Sequence, residues 1–300
     1  MKRLPLPVWV TLGLFLLVWL PIGGEQQGSF SGEGTTLEQI RESGVAKVGF
    51  ANEAPYAYLD PETGRLTGEA PEIARQVLAS LGVERVDGVL TEFGSLIPGL
   101  QAGRFDLIAA GMYITPERCR EIDFTRPTYG IGEAFIVARG NPRGLHGYQD
   151  VAASGEMTIG VVTGAVQLGY AEAMEIPRSR IVFFPDNPSG LSGVASGRVD
   201  ALAVTRLTAE DLLAKGGGDD LEIAEPFEDP VIDGRSVRGY GAFGLRSEDD
   251  DLRQLINAEL QTFLGSRAHL ALVRPFGFSE ATLPGDVTAE ELCQPEGSDS

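Results

Sequence analysis

One phrase occurs twice in this chain. "QAGRFDLIAAG" (101–111) and "ASGRVDALAVT" (195–205) share an order: the end of a helix, a small residue, Gly-Arg, one residue, Asp, then an apolar strand. A helix that stops at glycine and feeds a continuous apolar run describes a strand buried on both faces, as in a parallel sheet. Two such phrases in 300 residues call for two comparable α/β units.

The flanking pattern supports this. In the first unit, "VAKVGFA" (45–51) reads as a strand. "APEIARQVLASLG" (70–82) has Ile73, Ala74, Val77, Leu78 and Leu81 at helical spacing, "VDGVLTEF" is a second strand and "SLIPGLQAG" a short helix. The second unit repeats the order with "MTIGVV" (157–162), "AVQLGYAEAM", "RIVFFP", "SGLSGVASG" and "VDALAV" (199–204). "EAFIVARGN" and "RGYGAFGLR" read as two crossings between the units, and a helix with Leu252, Leu255, Ile256, Leu260 and Phe263 on one side follows the second. The expected fold is α/β: two lobes joined by two hinge strands with a cleft between them. Lobe one takes residues 37–138 and 240–292, and lobe two takes 139–239. Ligands bind such sheets at the carboxyl ends of their strands, which is where "AAGMYITPERCR" (109–120) and "VTGAV" (162–166) fall.

Composition excludes some partners. The net charge of −19 argues against nucleic acid and anionic membranes, which require basic surface. Residues 1–24 combine Lys2 and Arg3 with an apolar run from Val8 to Leu20. They read as an export signal or, in a rival reading, a retained anchor; the apolar run is at or below the ~20 residues a span needs. The protein is therefore expected outside the cytoplasm, in the periplasm or at the outer face of the cytoplasmic membrane. Residues 25–36 read as a polar linker and 293–300 as a tail. In an exported chain Cys119 and Cys293 are either a disulfide or two separate thiols. Two Cys and two His (His146, His269) without short ligand spacing make a metal site improbable, and no motif calls for a cofactor.

The motifs "EAPYAYLDPETGRLTGEAPEIARQVLASLG", "EFGSLIPGLQAGRFDLIAAGMYITPERCREIDFTRPTYG", "GVVTGAV" and "GRVDALAVT" resemble the solute-binding proteins of polar-amino-acid ABC importers. "ANEAPYAY", "PERC", "RGNPRGL", "PDNPSG", "PFGFS" and the late "EELC" are most similar to the ectoine/hydroxyectoine-binding branch. The resemblance implies a type II periplasmic-binding-protein-like clamp, monomeric, that closes on a small zwitterion and hands it to a membrane permease.

It also implies a site. Arg118 stands where the family grips a carboxylate, a task suited to a planar guanidinium. The family's usual Asp at the end of "VDALAVT", a receptor for a primary ammonium, is here Thr205, and its usual Ser or Thr five residues before the Arg is Tyr113. Tyr56, Phe93 and Tyr113 fall at ectoine-type positions and would wall a delocalised cation by cation–π attraction, with Glu53 balancing its charge. Tyr58 is a nearby decoy. From lobe two the Val166 amide, with Gly164, would meet the carboxylate, and in lobe one the Gly111 carbonyl would accept. The rivals are an amino-acid or amine receptor of the same family and, further off, an exported cyclohexadienyl dehydratase-like enzyme. No Ser/His/Asp or Cys/His constellation supports catalysis, so the chain reads as a non-enzyme.

Overall fold

The computed structural model describes residues 34–294 apart from 217, 233 and 234. The signal or anchor at 1–24, most of the linker and the end of the tail lie outside the described residues.

The repeated phrase does the same physical work twice. Gly103 and Gly197 both stand at positive φ where their helices stop. Asp106 then accepts the Lys47 N–H at 2.7 Å, and Asp200 accepts the Thr158 N–H at 2.8 Å. Each aspartate thus pins the start of the neighbouring parallel strand, and the backbone returns the bond, Asp106 N–H to the Lys47 carbonyl and Asp200 N–H to that of Thr158. Strand order follows from these anchors. In one sheet Arg85–Leu90, Val45–Phe50 and Leu107–Tyr113 run parallel; in the other Ile181–Phe184, Ile159–Val162 and Ala201–Thr205 do so.

Each sheet is completed by an antiparallel crossing strand, Gly239–Leu245 beside Leu107–Tyr113 and Glu133–Ala138 beside Ala201–Thr205. This moves one boundary. Residues 133–138 belong to the second sheet, so the first crossing falls at Gly132 and not at 138. The apolar run of that strand concealed the switch, because it packs on both faces: Phe135 and Val137 enter one core cluster, Ala134 and Ile136 the other. The assumed linker also ends early. Thr35 caps a helix Thr36–Ser43, with the Thr35–Glu38 capping box as its sequence signal and left-handed Gly44 as its stop.

Cys119 and Cys293 form a disulfide spanning 174 positions. It ties the 3₁₀ turn Arg118–Arg120 to the helix Ala289–Cys293, so the loop that carries Arg118 is anchored covalently. Closing so long a loop restricts the unfolded chain strongly. The double variant Cys119→Ser/Cys293→Ser is expected to lose about 2–5 kcal/mol of stability, read from its urea midpoint.

Candidate functional site

A cavity of about 40 Å³ lies at the carboxyl ends of both parallel sets of strands. Lobe one contributes Glu53, Tyr56, Phe93, Gly111, Tyr113 and Arg118; lobe two contributes Val166, Gln167, Asn187, Thr205 and Thr208. It has room for a few water-sized groups, so it suits a compact solute and not a peptide. Of the eight residues singled out from sequence, seven line it. Gly164 does not; its carbonyl accepts from Arg118 Nη2 at 2.9 Å.

Arg118 follows the Leu107–Tyr113 strand, and its N–H is held by Thr115 Oγ1 at 3.2 Å. Nη1 donates to the Tyr113 carbonyl at 2.7 Å. The guanidinium lies over the Phe93 ring, 5.5 Å from its centroid. Two of its five N–H groups are engaged by carbonyls, and among the described residues no carboxylate lies within ion-pair distance. Burial pulls its pKa down to about 10, with Tyr170 and Glu117 among the groups opposing the shift. It is a desolvated cation with donors to spare. Phe93 therefore gives a ring face to Arg118 rather than to the cavity alone.

Glu53 sits in the turn after Val45–Phe50, bridged to Ala57. Burial pushes its carboxyl up to about 7, against the opposing pull of Arg118 and with help from Asp186. Tyr56 stacks on Tyr129 at 5.1 Å, and Phe278 meets both rings edge-on. Gly111 makes this possible, since a Cβ there would sit 2.6 Å from the Tyr56 ring. The Gly111 carbonyl, expected free for a ligand, accepts from the Tyr129 hydroxyl at 2.8 Å. Tyr113 is buried, with its hydroxyl unpartnered among the described residues. Tyr58 lies outside the lining and faces Lys215 of lobe two, 4.7 Å from the ring centroid.

Across the cleft, Tyr56 and Thr205 hydroxyls are 2.7 Å apart. Thr205 also donates to Thr208 Oγ1 at 3.0 Å and accepts the Thr208 N–H at 3.2 Å. The remaining lone pair of Thr205 then takes the Tyr56 proton, so its one donor and both acceptors are filled. The Thr-x-x-Thr spacing at the start of Arg206–Gly216 signals this cap. No local pattern signals Gln167, Asn187 or the backing pair Tyr129 and Phe278.

The lobes also touch through backbone. Gly164 has φ +81°, and a Cβ on it would stand 2.5 Å from Gly94 Cα, whereas a Cβ on Gly94 would meet its nearest atom at 3.4 Å. Gly164→Ala is therefore expected to hold the lobes apart and weaken ligand binding roughly 10–100-fold, with Gly94→Ala costing far less; calorimetry of the pair checks this.

The family model of bacterial extracellular solute-binding proteins, family 3, matches residues 46–274. The chain belongs to that family. This family 3 protein is 43% identical over 263 residues to a probable amino-acid ABC transporter periplasmic-binding protein of Sinorhizobium fredii, covering 86% of each chain. It is 27% identical over 245 residues to the L-cystine-binding protein of Escherichia coli, covering 80% of this chain and 86% of that one. The crystal structure of EhuB in complex with hydroxyectoine superposes with a TM-score of 0.78 at 33% identity, covering 87% of this chain and 98% of that one. A further neighbour, an ancestral amino acid-binding protein described as a precursor of cyclohexadienyl dehydratase, gives 0.69 at 25%, covering 81% and 99%. The family 3 protein thus has the two-lobed type II fold of periplasmic binding proteins. No helix among its described residues is long and apolar enough to cross a membrane.

Proposed function

We propose that this protein is the extracytoplasmic receptor of an ABC importer, closing on a small zwitterion and delivering it to a membrane permease. The observation that carries this reading is the Arg118 guanidinium, partly desolvated and without a carboxylate partner among the described residues, in one small cavity with the carboxyl of Glu53. A ligand with one anionic and one cationic end completes both.

The favoured solute is ectoine or hydroxyectoine. Thr205, where an acceptor for a primary ammonium would be needed, is already saturated by Tyr56 and Thr208. The cation is left to Glu53 and to the rings of Tyr56, Phe93 and Tyr113, which suit a delocalised amidinium. The likeness to the hydroxyectoine complex of EhuB supports this choice. A second reading, a polar amino acid, has the kinship with the Sinorhizobium fredii protein in its favour.

A thermal-shift screen of ectoine, hydroxyectoine and polar amino acids, followed by calorimetry, tests the assignment. A rise in melting temperature with the ectoines is expected. A response to amino acids alone would move the protein to the second reading.

A further inference from the structure

Gln167 opens the helix Gln167–Ala173 and lines the cavity, yet its side-chain nitrogen points away from any ligand. Nε2 donates to Glu133 Oε2 at 2.7 Å. Glu133 is not part of the lining. It is the first residue of the crossing strand, 4% exposed, with its own N–H given to Asp229 Oδ1 at 2.8 Å. It stands opposite Thr205 in the sheet register. Its other oxygen, Oε1, is buried without a partner among the described residues, which show no stronger donor to exchange for Gln167.

An amide has one donor end and one acceptor end. Nε2 carries two N–H groups and gives one to Glu133, which turns the nitrogen end toward the crossing strand and leaves the carbonyl oxygen as the acceptor Gln167 can offer the cavity. A carbonyl facing a desolvated ligand is satisfied only by a donor, and leaving it unmet costs affinity. We propose that Glu133 is a positioning residue that orients Gln167 as an acceptor, so that lobe two selects ligands whose cationic end carries N–H groups and rejects fully alkylated ammonium. Ionised, Glu133 is acceptor-only and admits the amide by its nitrogen alone; burial pushes its carboxyl up to about 8, and a protonated acid can also give its O–H to the Gln167 carbonyl, so the selectivity is read above that pH.

The inference rests on the zwitterion reading and narrows it. A cyclic amidinium carries ring N–H groups; a quaternary betaine carries none. Both could satisfy Arg118 and the aromatic walls, so Gln167 separates them.

The test compares ectoine with glycine betaine, and L-proline with its N,N-dimethyl betaine, by calorimetry on the full chain. Wild type is expected to prefer the N–H-bearing member of whichever pair it binds. Gln167→Leu should weaken that member roughly 10–100-fold while leaving the betaine within about threefold. Glu133→Leu should reproduce the loss of selectivity without touching ligand, and Glu133→Gln, which can donate as well as accept and so can hold either end of the Gln167 amide, should restore it only in part. The double variant Glu133→Leu/Gln167→Leu should be no worse than Gln167→Leu alone. Equal losses for both members in Gln167→Leu, or multiplying effects in the double variant, would overturn the inference. Binding of the proline pair but not ectoine would overturn the ectoine assignment alone, with the selectivity still measured. A wild-type chain that bound none of the four would overturn both.

Discussion

Replacing Arg118 with alanine is expected to weaken solute binding by two to three orders of magnitude, about 3–4 kcal/mol, because the ligand carboxylate would enter a desolvated cleft without its counter-ion. The guanidinium also ties Tyr113 to Gly164 across the cleft, so the variant loses a bond that spans the lobes. Arg118→Lys should recover little: an ammonium is a point charge that cannot hold two carbonyls and a carboxylate in one plane. Stability should move the other way. In the unliganded protein the side chain is a half-buried cation without an anionic partner among the described residues, and its removal relieves partial desolvation. The expected signature in thermal unfolding is an unchanged or raised melting temperature for the free variant and loss of the ligand-induced rise. A variant that unfolds early but still responds to solute would refute the assignment of Arg118.

The second large effect is a pH dependence set by Glu53. Its carboxyl, raised to about 7 by burial, must be ionised to balance a ligand cation. Affinity should therefore rise with pH by up to tenfold per unit below 7 and level off above about pH 8. Glu53→Gln should bind weakly and lose most of that slope. Folding stability carries the opposite sign. Glu53 at about 7, and Glu69 and Glu133 at about 8, all lie above the ordinary carboxyl value of 4.5 because of burial. Between 4.5 and 8 the native state holds protons that the unfolded chain has released, so these groups' contribution to stability is full below 4.5 and is lost as pH rises. Urea midpoints of the unliganded protein are expected to fall from pH 5 to pH 8 while calorimetric affinity climbs. Parallel trends in the two measurements would mean that Glu53 does not meet the ligand.

The sequence carried much of the fold. Two Gly-Arg-x-Asp phrases located two parallel sheets because a helix stop followed by a continuous apolar run is a local pattern; the strand that each aspartate pins, many positions earlier, was not written there. Helices such as Glu69–Ser80 and Asp250–Phe263 were legible because an apolar face repeats at helical spacing. The crossing strand Glu133–Ala138 was assigned to the wrong lobe, because a strand buried on both faces has no period that says which sheet it joins.

The candidate site divides along the same line. Sequence by itself determined which residue types reach the cavity from each strand end: Glu53, Tyr56, Phe93, Tyr113 and Arg118 follow their strands within a few residues. Tertiary structure decided what those residues are free to do. Thr205 is a hydroxyl in sequence, and only its meeting with Tyr56, 149 positions away, leaves it with nothing to give a ligand. Gln167 could present either end of its amide until Glu133, 34 positions earlier, takes the nitrogen. Gly111 could offer its carbonyl until Tyr129 fills it. The physical reason is one of range. Periodicity and caps are local and are written in neighbouring residues. Saturation of a donor or acceptor depends on partners that only the tertiary fold brings together, within one lobe for Gly111 and Gln167 and across the cleft for Thr205.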